Sequence, residues 1–186
     1  MPIEKFDPKE FAKNLVQQAA EMIPKDLSEN QRNFIIGKIN HLCIEAGDYI
    51  NKTPNIKLNA NQASTVIQFI AKWTFHKSID LIRLEISHEH WDFVLNKVAC
   101  VAFHTAKEAI INGMDDNSII NQVEKEVKAS FEKSLKELVK IDQEKKTLSF
   151  LYNIIVILII FLILGFILIF CNQSVMQKII FWKNYG

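Results

Sequence analysis

The chain has 186 residues, of which 49% are hydrophobic, with 22 basic and 21 acidic side chains and a formal net charge of +1. This balance excludes a protein that binds nucleic acid through bulk positive charge, and it excludes an acidic tail protein. Five glycines and four prolines are few turn formers for a many-stranded β domain. The apolar content excludes a disordered chain, and we therefore expect an all-α protein.

Helix starts recur along the chain with one local pattern. Asp7-Pro8-Lys9-Glu10 combines a capping acceptor, a proline in the first turn and an early acid, and Ser28 to Gln31 and Asn59 to Gln62 repeat the capping box. Together with apolar residues at helical spacing, these starts predict five helices. Their predicted ranges are 8–23, 29–51, 60–86, 88–112 and 117–171.

Two features at the ends of these helices are informative. Gly113 suits the left-handed position that follows the fourth helix. The break at Ser87 rests only on a capping hydroxyl and an early acid, so the third and fourth helices could also form one long rod. The apolar stripe of the second helix is Ile35, Ile39, Leu42, Ala46 and Tyr49.

The C-terminal part of the sequence differs sharply from the rest. Residues 1–146 contain all the acidic side chains, whereas Ile154–Cys171 is a run of 18 residues without a charge. At about 1.5 Å per residue, such a helix is roughly 27 Å long, close to the ~30 Å hydrocarbon core of a bilayer. We therefore predict a soluble helical bundle over 1–146, a single transmembrane helix over 147–171 that continues the last bundle helix, and a short interfacial tail over 172–186.

Lysines flank this apolar run unequally. Six lie between residues 128 and 146, and two, Lys178 and Lys183, follow the run. By the positive-inside rule, this excess keeps the N-terminal domain in the cytoplasm. The sequence therefore predicts a tail-anchored, single-pass membrane protein.

Four of the five histidines are followed by an acid four residues later, which places both side chains on one face of a helix. Helical phase groups His41 with Lys38 and Glu45 on a solvated face, so weak surface pairs are the favoured interpretation. The four pairs are His41/Glu45, His76/Asp80, His88/Asp92 and His104/Glu108. The best candidate for a metal site is the cluster Glu85, His88, His90 and Asp92.

The chain contains no sequence motif for catalysis or phosphate binding, and we predict no catalytic residue and no cofactor. Trp73 and Trp91 fit the apolar stripes and are expected in the core. Phe75 and Phe93 fall off those stripes, so either they are buried against the first helix or they form a partner surface.

Three functions remain open. The first is a non-enzymatic scaffold that recruits a cytosolic protein partner to a lipid bilayer. The second is a membrane-active or signalling protein that forms homo-oligomers through its span. The third, least favoured, is a metal-dependent enzyme of the helical-bundle type. None of the three involves nucleic acid.

Overall fold

The structure is a computed structural model that describes the backbone of residues 6–53, 56 and 58–185, and the side chains of these residues except 142 and 161–185. Within this part of the chain there are five α-helices, one short 3-10 helix and no strand, which confirms the all-α prediction. The helices are α1 (Pro8–Met22), α2 (Glu29–Lys52), α3 (Ala60–Arg83), α4 (Trp91–Ile111) and α5 (Asp116–Tyr185), with the 3-10 turn at His88–His90 before α4.

The helices begin where the capping residues predict. Asp7 accepts a hydrogen bond from the backbone N–H of Lys9 at 2.9 Å. Ser28 and Asn59 each form a complete capping box with the glutamine three residues later. Each box satisfies backbone donors that a helix start leaves unpaired, so local side chains fix the start of these helices.

The last helix is capped by Asp115. Its carboxylate accepts a hydrogen bond from the backbone N–H of Ser118 at 3.0 Å and another from the Ser118 hydroxyl at 2.6 Å. These hydrogen bonds favour the charged form and hold the pKa of Asp115 below its ordinary value.

Helices α3 and α4 end in the same way, with a residue in the left-handed region. After α4 this residue is Gly113 (φ 70°), and after α3 it is Glu85 (φ 53°). In both cases the next residue returns a hydrogen bond to a carbonyl five residues back, from Ile86 to Leu81 and from Met114 to Ala109, each at 3.1 Å. The predicted break near Ser87 is therefore confirmed, and α3 and α4 are separate helices.

Residues up to Leu138 form the first of two compact units. The first four helices pack mainly against their neighbours in sequence, and α5 adds Val123, Val127 and Phe131 to the same core. Trp73 and Trp91 are buried in it, as predicted. Tyr49, expected on the apolar stripe of α2, is instead 50% exposed.

The second unit is Val139–Gly186. Its large apolar side chains between Leu148 and Ile160 are mostly exposed. Among the residues open to description, no helix carries an apolar stretch long enough to cross a membrane. The side chains of 161–171, much of the predicted span, and those of the predicted tail lie outside the described residues.

Candidate functional site: a groove between two helices

The four candidate metal ligands have different surroundings in the structure. Glu85 is the left-handed residue after α3. The His88 ring lies 4.5 Å from the Trp91 ring and 4.8 Å from the Phe34 ring, and Asp92 Oδ1 lies 2.7 Å from Lys38 Nζ. Throughout the described part of the chain, no three His, Cys, Asp or Glu side chains form a group that could hold a metal ion.

His90, the remaining candidate, has a largely buried side chain whose Nε2 lies 3.3 Å from Glu89 Oε1. Of the four predicted histidine–acid pairs, His41 and Glu45 lie 3.7 Å apart and are well exposed, as expected of a surface pair. At the second pair, Lys77 binds Asp80 at 2.7 Å, and partial burial, with a contribution from Lys72, lowers the pKa of His76. A protonated, strongly paired His76 is therefore disfavoured.

The two candidate partner-surface phenylalanines differ in exposure. Phe75 is buried, with 7% of its surface exposed, so its ring is not available to a partner. Phe93 is 36% exposed, and the Lys97 amine lies 4.2 Å from its ring centroid. Lys97 also forms an ion pair with Glu137 of α5, so Phe93 lies beside a charged link between two helices rather than in an open apolar patch.

A groove runs between α2 and α4, and we name it the α2–α4 groove. Both helices pack extensively on α3 and touch each other little, because α3 lies between them in the chain and in space. The cavity in this groove has a volume of about 480 Å³, within the usual range of about 300–1,000 Å³ for ligand-binding clefts.

Two kinds of side chain line the α2–α4 groove. Its floor is apolar, and most of it is buried: Leu42, Ala46, Ile70, Ala99 and Phe103. Its rim is polar and exposed: Glu45, Tyr49, Asn96, Cys100 and His104. The two alanines leave open the space that larger side chains would fill, so the groove follows directly from residue size.

Side-chain contacts connect α2 and α4 at both ends of the groove, and towards the start of α2 they include the Phe34 and Trp91 rings, 5.0 Å apart. Near one end, Lys38 of α2 reaches Asp92 of α4 at 2.7 Å. Eleven residues later on each helix, the Tyr49 and Phe103 rings meet with centroids 5.6 Å apart. The equal spacing shows that α2 and α4 run parallel, and it spans roughly 16 Å, or three helical turns.

The prediction that Lys38 lies on a solvated face is wrong. Its side chain is only 9% exposed, and it lines a second cavity of about 350 Å³ with Phe34, Gly37 and His41. The long aliphatic stem is covered while the amine reaches Asp92, as lysine stems commonly allow. The second cavity is a separate one, nearer to the start of α2.

The chemistry of the α2–α4 groove is that of binding. Glu45 is the only carboxylate in the lining, which contains no lysine or arginine. Cys100 and His104 lie one turn apart on α4, but no hydrogen bond links them in the described structure, and nucleophilic catalysis needs a base within hydrogen-bond reach of the thiol. The site thus combines an apolar floor, a polar rim and one acidic side chain.

The sequence alone does not predict this groove. Asn96, Cys100 and His104 recur every four residues beside the apolar stripe of α4, and Ala46 lies within the stripe of α2. Small residues on a buried stripe with polar residues beside them are the only local signal, and many well-packed helices share it. Comparison with known proteins adds no assignment: the chain matches no protein-family model, no curated protein and no solved structure.

Proposed function

We propose that this chain is a non-enzymatic helical binding protein that holds a cytosolic protein partner at a membrane. The observation that carries the proposal is the α2–α4 groove, a cleft about two helical turns long with an apolar floor and a polar rim. Partner helices commonly bind in such grooves through their apolar face. In this proposal the first unit binds the partner, and the C-terminal segment anchors the chain.

The anchor is supported by the sequence and by side-chain exposure. Ile154–Cys171 has no charge, and large side chains at its start, such as Ile157 and Leu158, are about half exposed. Contiguous exposed apolar surface of this kind marks a contact with lipid or with another protein. The lysine excess before the run favours a cytoplasmic first unit.

Vesicle flotation of the full chain tests the anchor. Arginines at Leu158 and Leu162, in the middle of the run, should abolish flotation, because each costs about 2.5–3.5 kcal/mol at the centre of a membrane helix. The matched control places the two arginines at Ser149 and Asn153, near the proposed water boundary, and should float. Equal flotation of both variants would refute the anchor.

Photocrosslinking in cells tests the groove. A photoreactive residue at Asn96 should give a discrete crosslinked protein that disappears in the variant Cys100→Trp, in which an indole occupies the groove. The control places the same residue at Glu124, an exposed position on α5. The same crosslinks at both positions, or crosslinks that survive Cys100→Trp, would refute partner binding in the groove.

Self-association through the span, with membrane activity, is the second candidate function. The exposed apolar side chains between Leu148 and Ile160 favour it, because a second copy of the same helix can cover them through side-chain packing. It predicts oligomers of the full chain in detergent and leakage of dye-loaded vesicles. A monomer that leaves vesicles intact would exclude it.

A further inference from the structure

The side chains that line the α2–α4 groove carry a net negative charge. Glu45 is the only acid among its lining residues, and no basic side chain lines it. The neighbouring lysine, Lys38, is already paired with Asp92 at 2.7 Å. The Glu45 carboxylate lies 3.7 Å from His41 Nε2, and both side chains are well exposed.

The shape of the groove selects an elongated occupant. The lining residues run from Leu42 to Tyr49 on α2 and from Asn96 to His104 on α4, roughly 10–12 Å along each helix, above the buried residue Ile70. This length is that of about seven or eight helical residues, or two turns. An α-helix lying between α2 and α4 would cover the apolar floor and leave its polar face to solvent.

From shape and charge together, we infer that the occupant is an amphipathic α-helix of a partner protein, with apolar side chains on the floor and a lysine or arginine beside Glu45. This inference rests on the proposed function and specifies its partner. A basic residue at that position gains an attractive pair with Glu45, whereas an acidic one is repelled by it, so Glu45 selects among apolar helices.

Selection from a library of helical peptides tests the inference. The library has fixed apolar positions at helical spacing and randomised flanking positions, and it is selected on the full chain in nanodiscs. Peptides that also bind Cys100→Trp are discarded in a counter-selection. Because Cys100 is exposed, a tryptophan there fills the groove without entering the core.

Enriched peptides should carry lysine or arginine at one fixed position. Glu45→Lys should weaken their binding by about threefold to tenfold, because it replaces an attractive rim pair with a repulsive one. Peptides with glutamate at that position should gain affinity on the same variant. The matched control, Glu124→Lys, changes the net charge equally at an exposed site on α5 and should leave both affinities unchanged.

Three outcomes would overturn the inference. One is enrichment of peptides that show no preference for lysine or arginine at any position and whose affinities are unchanged by Glu45→Lys. Another is that no selected peptide binds the full chain more tightly than it binds Cys100→Trp. The third is occupancy of the groove by small apolar molecules, which would be detected as protection of the Cys100 thiol from alkylation. The first leaves partner binding in the groove intact, because it refutes only the charge of the partner.

Discussion

Replacing Gly47 by alanine should loosen the attachment of α1 to the bundle. A Cβ atom at Gly47 would lie 2.4 Å from Pro8 Cβ, 2.8 Å from Pro8 Cγ and 3.3 Å from Ile67 Cδ1. The first two distances lie well inside van der Waals contact, and the rigid proline ring cannot rotate away. The first turn of α1 must therefore move.

The same helix provides a matched control. A Cβ atom at Gly37 meets no atom within 4 Å, so Gly37→Ala gains helix propensity alone, about 0.8–1 kcal/mol. Gly47→Ala gains the same amount but also overpacks the core, at a cost of typically 1–3 kcal/mol. Since propensity cancels, the difference between the two variants measures the contact between Pro8 and Gly47, and we expect it to be about 1–3 kcal/mol.

Urea unfolding of the full chain measures this difference. In a Trp182→Phe background, the fluorescence of the buried Trp73 and Trp91 reports on the first unit, and a slope of about 1–3 kcal/mol/M converts the energy into a midpoint difference of order 1 M. Hydrogen exchange of α1 amides should rise in Gly47→Ala and not in Gly37→Ala. Equal midpoints for the two variants would show that Pro8 of α1 does not pack tightly against Gly47 of α2.

The remaining predictions concern caps and thiols. Glu85→Gly should stabilise the chain by about 1 kcal/mol and Gly113→Ala should destabilise it by about as much, since both residues have positive φ. Thermal midpoints that shift in the same direction in the two variants would contradict this. Asp115→Ala should lower the thermal midpoint at pH 7 and should have a smaller effect as the pH falls below 3.8, because the lowered pKa of the carboxyl adds stability that is complete above its ordinary value of 3.8 and is lost as the pH falls through the lowered pKa; an effect that does not shrink at acidic pH would count against the cap. At pH 8, iodoacetamide should label Cys100 and leave Cys43 unlabelled until urea is added, since burial raises the pKa of Cys43 to about 12; mass spectrometry of native protein showing rapid labelling of both would refute the buried thiol.

The features predictable from the sequence are those set by neighbouring residues. Asp7, Ser28 and Asn59 cap helices through hydrogen bonds to N–H groups two or three residues later, and the Phe6 and Phe11 rings meet across the first cap at 5.5 Å. Such contacts need no knowledge of the tertiary fold. The helix starts, and with them the order of the elements, follow from local chemistry.

The features missed by sequence analysis depend on residues far apart in the chain. Helical phase places Lys38 on a polar face. In the structure its amine donates a hydrogen bond to Asp92, 54 residues later in the chain. Tyr49 fits the apolar stripe, but it lies half exposed at the rim of the groove, where its ring contacts Phe103 of α4. The gap between two helices is set by how both pack on α3, and neither helix encodes this gap on its own.

The division of the chain after Leu138 has a consequence for biosynthesis. The described core residues of the first unit all lie at or before Leu138, and the uncharged run begins 16 residues later, at Ile154. At about 5–20 residues per second this interval takes roughly 1–3 s, whereas helical bundles fold in microseconds to milliseconds. The nascent bundle therefore has time to bury its own apolar residues before the most hydrophobic part of the chain leaves the ribosome, which limits misfolded contacts between the two.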